Sequence, residues 1–389
     1  MGGSGRGGFL LVPQQRKGSL FLKALPFLET TCGILDASGG SVRSGGHVAH
    51  VSHSYLLAYC IPLHNFRYGI KNITDLQFVE PLRKHIQSLN KNRHCVFPEC
   101  KQKPANSHII PESVLALLGD KQGKVLTWEY SDEEILINHI RGATWDQLFQ
   151  QPKRIGIGRD ATYPIFCSSH DNGIFIPLEK PGDYNETERA ALLAYRALCY
   201  KTWNPRLGEK LEFELANLTP EAAQEFRRLF SLNAILAARK KLESIVQSKD
   251  YRELRWIKRI LKMNPCTACV DAIVPYDGAE DASNIASGKT ILTPEDYITF
   301  TLYPDRNLQA SVCIITSFKG NERGDKFIDD LDPDKSSEDA VFNRIFNYAL
   351  SMSLVYTSQK FWDYLSPEYK EAYVKLRMSR VSVEANPQN

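Results

Sequence analysis

The sequence predicts an α+β protein, and three observations predict it. Apolar residues recur at helical spacing in several stretches, most clearly in Thr187–Lys201, where Ala190, Leu192, Leu193, Tyr195, Ala197 and Leu198 form an apolar body. Short strand-like runs lie elsewhere and concentrate between Val270 and Ser317. Two tight pairs of metal-seeking residues, Cys95 with Cys100 and Cys167 with His170, stand in turn-rich sequence ahead of that strand region. Together these predict a metal-centred module, a helical middle region, and a C-terminal part built from a small antiparallel sheet plus helices.

The elements follow in order. Residues 1–55 are rich in glycine and serine, hold no sustained period of 2 or 3.6, and read as a flexible arm. The His47, His50 and His53 run inside it reads as polar tail rather than a metal site. Ile73 to Asn92 predicts a helix capped by Asn72 or Thr74, with Phe78, Leu82, His85, Ile86 and Leu89 on one face and a kink at Pro81. Pro111-Glu112-Ser113 opens a short helix over Val114–Leu118. Lys124–Tyr130, Ile155–Ile157 and Tyr163–Phe166 read as strands. Thr219-Pro220-Glu221 is a strong helix start, and helix is expected to continue, with one break near Ser248, to Lys262. Val270–Val274, Ile298–Leu302 and Ala310–Ser317 are the C-terminal strands, the last two joined through Pro304-Asp305-Arg306-Asn307. Helices return from Ser337. The divisions expected are a flexible arm over 1–55, a metal module over 70–205, a basic helical region over 206–265 and an α+β domain over 266–389.

Bulk properties narrow the function classes only a little. A formal charge of +3 over 389 residues argues neither for nor against nucleic acid, so any argument from charge must be local. No apolar stretch is long enough to span a bilayer. Nine cysteines are too few for a disulfide scaffold in a chain of this length, which points to a reducing, cytoplasmic setting with metal-bound and buried thiols.

The ligand pairs carry the chemistry. Zinc in a structural site takes four tetrahedral ligands from thiolate and imidazole, and Cys95, Cys100, Cys167 and His170 are such a set. A module with little core of its own draws much of its folding energy from such a staple. Residues 101–166 separate the two pairs. A rival pair, Cys266 and Cys269, follows Asn264-Pro265; two buried small residues are the plainer reading of it. His108, in Ser107-His108-Ile-Ile-Pro111, reads as a zinc ligand in place of His170 or as a helix-start histidine satisfied by backbone.

A cysteine knuckle, then a histidine in a His-Ile-Ile-Pro string opening a helix, then a second ligand pair followed by Asp171 and Asn172, resembles the HNH family of treble-clef, ββα-metal nucleases. The resemblance covers roughly Cys95 to Glu179. It implies a zinc-stapled treble-clef-like module and a nuclease or nuclease-derived protein. In that reading His108 is the general base, and Asp171 with Asn172 holds a catalytic Mg2+ or Mn2+. It also implies bacterial or phage defence as a setting. The chain departs from the family in having Ser107 where an acid usually precedes the histidine, and in the distance between its two ligand pairs. No middle asparagine is assigned beyond Asn138 as a candidate.

Candidate nucleic-acid contacts are Lys153, Arg154 and Arg159 near the metal module, and Arg239, Lys240, Arg255, Lys258 and Arg259 in the basic stretch 219–262. That stretch carries eleven basic residues against five acidic ones, with Tyr251 and Trp256 available for stacking. A solvated basic helix face is the bland equivalent. Asp329–Asp334 fails the EF-hand pattern and reads as a solvated acidic loop. Glu179 and Arg196 are expected to pair structurally. The alternatives to a nuclease are a non-catalytic zinc-binding module that recognises nucleic acid or protein, and a structural component with a protein partner or a second copy of the chain.

Overall fold

The apolar strands expected near the C-terminus do form, and they recruit strands from much of the rest of the chain. The computed structural model describes residues 47–49, 93–129, 151–179, 185–203, 232–261, 266–276, 281, 284–285, 290–305, 307, 309–332, 336–351, 354–371 and 373–374. The helix expected over 73–92, its caps, and the Asn138 candidate lie outside these residues, as do Thr219–Glu221.

In chain order the elements are β1 (His47–Ala49), β2 (Asn106–His108), α1 (Glu112–Leu118), β3 (Lys124–Thr127), β4 (Lys153–Gly156), α2 (Ile157–Asp160), β5 (Thr162–Pro164), α3 (Ser168–Ile174), α4 (Ile176–Glu179) and α5 (Glu186–Trp203). There follow α6 (Leu232–Ser248), β6 (Leu254–Leu261), β7 (Thr267–Tyr276), β8 (Ile298–Asp305), β9 (Ala310–Phe318), α7 (Glu322–Asp329), α8 (Glu338–Ser351), β10 (Leu354–Thr357) and α9 (Gln359–Tyr364).

Eight of the strands make one antiparallel sheet in the order β4-β3-β10-β7-β8-β9-β6, with β1 also pairing β7. β2 and β5 form a separate two-stranded antiparallel sheet, with α1, β3, β4 and α2 between them in the chain. The small C-terminal sheet expected from the sequence is therefore too narrow a description. The sheet takes strands from either side of the divisions at 205/206 and 265/266, and even His47–Ala49, inside the expected arm, pairs with Val274–Tyr276.

Alternation explains the layers. In β9, Val312 and Ile314 face α5, while Cys313 and Ile315 enter the core of the opposite face. One core packs α1, α5 and α6 with the metal module against Val125, Val270, Leu354 and Tyr356. The other packs α7, α8 and α9 against Phe300, Leu302, Ile315 and Val355. An antiparallel sheet with both faces apolar must be covered on both sides, and helices do so here. Cys266 and Cys269 are buried on the second face, where burial pushes the Cys266 thiol up to about 12. Among the described residues no helix is long and apolar enough to cross a membrane.

The expected helix to Lys262 is corrected by the structure. α6 ends at Ser248, and Lys249 takes a left-handed φ of 55°. After a short 3-10 turn, residues 254–261 run as β6 along β9. The Leu-Arg-Trp-Ile-Lys-Arg-Ile-Leu run fits both periods at this length, and the tertiary partner β9 decides for strand.

α7 lies so close to the sheet that a Cβ on Gly324 would meet the Ser317 Cβ at 2.9 Å and the Ile298 Cγ2 at 3.3 Å. Gly324→Ala is expected to destabilise the fold by about 1–3 kcal/mol, measured as a drop in the denaturant midpoint at unchanged slope.

Candidate metal centre

The two ligand pairs meet. Cys95 and Cys100 sit on a knuckle closed by Cys95 N–H to the Gln102 carbonyl (2.9 Å) and Cys100 N–H to the Phe97 carbonyl (3.2 Å). Glu99, at φ 57°, supplies the left-handed step that turns the chain back between them. Val96 N–H to the Ile165 carbonyl and Ala105 N–H to the Phe166 carbonyl tie the knuckle to the segment that ends at Cys167. Cys167 is the N-cap of α3, and His170 lies in its first turn. Residues three apart at a helix start project toward the same point, which is why a Cys-x2-His pair can serve one ion.

The four ligand atoms all lie within 4.8 Å of one another. Cys95 Sγ is 3.4 Å and Cys167 Sγ is 3.2 Å from His170 Nδ1, and Cys100 Sγ is 3.9 Å from Cys167 Sγ. A tetrahedral ion bonded at about 2.3 Å to sulfur and about 2.0 Å to nitrogen sets S–S edges near about 3.8 Å and S–N edges near about 3.5 Å. The fit is close. A disulfide, at about 2.05 Å, is not present in these four residues. Cys95, Cys100, Cys167 and His170 can thus hold a metal ion, whereas His108 lies outside the cluster.

The surroundings are built for a closed site. Cys95 and Cys167 are buried and the other two half-buried. Phe97 stacks on the His170 ring at 4.1 Å, which fixes the ring plane. Burial pushes the Cys95 thiol up to about 11. Burial also raises the Cys167 thiol, but hydrogen bonds from the His170 backbone and the neighbouring thiols outweigh it and leave that thiol below its ordinary value.

His108 ends β2, opposite Thr162 of β5. Its Nε2 lies 2.8 Å from the Ile157 carbonyl, and among the described residues its Nδ1 has no partner. A carbonyl can only accept, so Nε2 carries the proton and Nδ1 keeps its lone pair when the ring is neutral.

Asp171 and Asn172 follow His170 on α3. The Asp171 carboxylate is shared with the buried Arg196 of α5, whose Nη2 is 3.4 Å from Asp171 Oδ1 and whose Nη1 is 2.7 Å from Glu179 Oε1. The guanidinium also lies over the Phe175 ring, 4.2 Å from its centroid. The expected Glu179–Arg196 pair is present. Its extension to Asp171 went unread, although an arginine in the middle of an apolar helix is the signal for such a buried partner.

The basic candidates are largely engaged within the chain. Arg255 on β6 pairs with Asp325 (2.9 Å) and Asp329 (2.7 Å), Lys258 with Glu186 (3.1 Å), and Arg259 with the Leu331 carbonyl (2.9 Å) and Asp332 (3.9 Å). Arg344 takes Asp330. Asp329 and Asp332 thus pair with the basic strand, and Asp330 with α8. Trp256 donates to Thr187 Oγ1, so its ring is packed rather than offered for stacking, and Tyr251 is half-buried against the core. Arg239 is buried and donates to Thr202 Oγ1 at 3.3 Å, whereas Lys240 is exposed on α6. Near the metal module, Lys153 is half-buried on β4, Arg154 is exposed and pairs with Asp120 and Gln122, and Arg159 lies in α2.

Sequence reading also missed a polar cluster that joins this module to the sheet. Tyr200 donates to Glu129 Oε1 at 2.7 Å, Tyr163 donates to Glu129 Oε2, and Tyr356 lies 3.4 Å from the Tyr163 hydroxyl. Burial, with the Glu129 charge beside them, holds all three phenols well above their ordinary range.

No family model, curated protein or solved structure matches this chain.

Proposed function

We propose that residues 93–179 are a zinc-held treble clef of the HNH kind that acts on the phosphodiester backbone of nucleic acid, with His108 as general base. The supporting observation is the His108 Nε2 bond to the Ile157 carbonyl, which leaves Nδ1 as a fixed proton acceptor at the end of strand β2. The order of parts supports it too: a knuckle bearing two ligands, the paired strands β2 and β5 with the histidine on the first and α1, β3, β4 and α2 inserted between them, then a helix bearing the other two ligands.

Zinc with four protein ligands has no open position, so its role in this reading is to hold the knuckle against α3. His108 takes a proton from the attacking water at Nδ1. Asp171, with Asn172 beside it, supplies hard oxygen ligands of the type Mg2+ or Mn2+ prefers, and such an ion stabilises charge developing on phosphate. Arg196 orients the Asp171 carboxylate from within the core.

Nuclease assays on single- and double-stranded DNA and RNA with added Mg2+ or Mn2+ test this reading. His108→Ala is expected to lower the cleavage rate by about 10²–10⁴-fold while zinc content and melting temperature stay close to the parent's. Equal rates in parent and variant would remove His108 as the base.

A second reading, a non-catalytic zinc module for recognition of nucleic acid or protein, is favoured by the Arg196 clamp, which already engages the Asp171 carboxylate. In that case added Mg2+ or Mn2+ changes nothing, and nucleic-acid binding, if present, weakens steeply with salt.

A further inference from the structure

The carbonyl that receives the His108 proton sits at the end of a chain of hydrogen bonds. Ile157 N–H donates to the Gly123 carbonyl at 3.0 Å, so the position of Ile157 is set by the turn before β3. That turn is built around Asp120. Asp120 Oδ1 accepts from the backbone amides of Gln122 (2.7 Å) and Lys124 (3.2 Å), and the Asp120 carbonyl accepts from Gly123 N–H at 3.0 Å. Asp120 Oδ2 accepts from Arg154 Nε at 2.9 Å, which lies three residues before Ile157. Gly123 takes φ +67°, a conformation that a β-carbon strains, although no atom would clash with one there. On the far side, Gly119 leaves room for the Ile157 side chain, whose Cδ1 would sit 2.8 Å from a Cβ at position 119. Ile157 is thus held through its amide and its side chain, and its carbonyl is aimed at His108 Nε2.

We propose that Asp120 is a positioning residue for His108: its carboxylate folds the Asp120–Lys124 turn, the turn places Ile157, and the Ile157 carbonyl fixes the imidazole through Nε2. The catalytic meaning of this arrangement rests on the reading of His108 as the base, whereas the bond itself does not. Arg154, taken from the sequence as a phosphate contact, belongs to this turn. Asp120 accepts from two turn amides, which an amide side chain reproduces, and also pairs by charge with Arg154.

The test is solvent exchange of the His108 Nε2 proton, followed by NMR in the full-length, zinc-loaded chain and assigned by its disappearance in His108→Ala. The parent should show a protected signal. Asp120→Ala should speed its exchange by more than about tenfold, because the turn amides lose their acceptor. Asp120→Asn, which keeps an acceptor oxygen at Oδ1, should restore protection toward the parent's. Gly123→Ala, which strains the same turn without adding a contact, should speed exchange as well, and it decides the matter if Asp120→Ala does not fold. Unchanged protection in Asp120→Ala, or in Gly123→Ala where that variant is the one that folds, would overturn the proposal. So would an Asp120→Asn exchange as fast as that of Asp120→Ala. The readout needs no turnover. A parent chain that cleaves no nucleic acid would therefore remove the function proposed above while leaving the exchange result to judge the turn.

Discussion

Cys167→Ala is expected to abolish metal retention and to loosen the whole assembly of knuckle, β2–β5 pair and α3. The parent should carry near one zinc per chain by elemental analysis, and the variant close to none. Structural zinc contributes about 10–16 kcal/mol of apparent folding free energy in isolated finger peptides. Here Cys95, Val96, Ile165 and Phe166 also enter the main core, so part of the module is held without metal. The expected loss is therefore smaller, on the order of 5 kcal/mol, read as a fall in melting temperature and reproduced by a chelator on the parent. A metal-free parent would remove the zinc site, and with it the treble-clef reading. Retained zinc in Cys167→Ala would show that the ligand set is wrong.

Breaking the Lys201–Asp271 pair should be the most damaging single change away from the metal. The two side chains are about 1% and 0% exposed, and Nζ lies 2.9 Å from Oδ1. Bringing two charges out of water is costly, and their mutual attraction offsets that cost only while both are present. Asp271→Ala leaves an ammonium buried between α5 and β7 and is expected to cost about 3–5 kcal/mol. The double variant Lys201→Met with Asp271→Leu should recover most of that loss, since both buried charges are then gone. Denaturant unfolding of Lys201→Met, Asp271→Leu and the double variant gives the coupling directly. A double variant as unstable as the sum of the singles would mean that the pair has no special coupling.

The metal centre was legible in the sequence because its information is local. Each ligand pair lies within one turn, and spacing plus residue type is enough to propose it. His108 was legible as a candidate for the same reason, but its partner is a backbone carbonyl, and the Ile157 carbonyl has no residue-type signature. α5 and strands β7, β8 and β9 were read within a few residues of their observed bounds, because long apolar runs leave little choice of element. β6 was misread as helix because eight residues of mixed basic and apolar character satisfy both periods, and only its pairing with β9 settles the matter. The same pairing explains the lost basic surface. As a strand, the segment brings Arg255 and Arg259 against Asp325, Asp329 and Asp332, which are some seventy residues further along. Charges read as a free stripe along a helix are spent on contacts that no local pattern reveals.

The place of β10 in the sheet has a consequence for how the chain assembles. Tyr356 and Thr357 pair with Thr127 and Leu126 on one side, and residues 354–357 pair with β7 on the other. Among the described residues, the β3–β4 ribbon thus reaches the rest of the sheet through β10, a strand made about two hundred residues later. A nascent chain emerging from the ribosome can close its metal knuckle early, yet it must carry an open β3 edge until the last strand is released. Such sequence-distant closure slows folding and leaves a template for aggregation exposed in the interval. A zinc staple formed early would keep that waiting ribbon ordered and shorten the time in which it can pair with a neighbour.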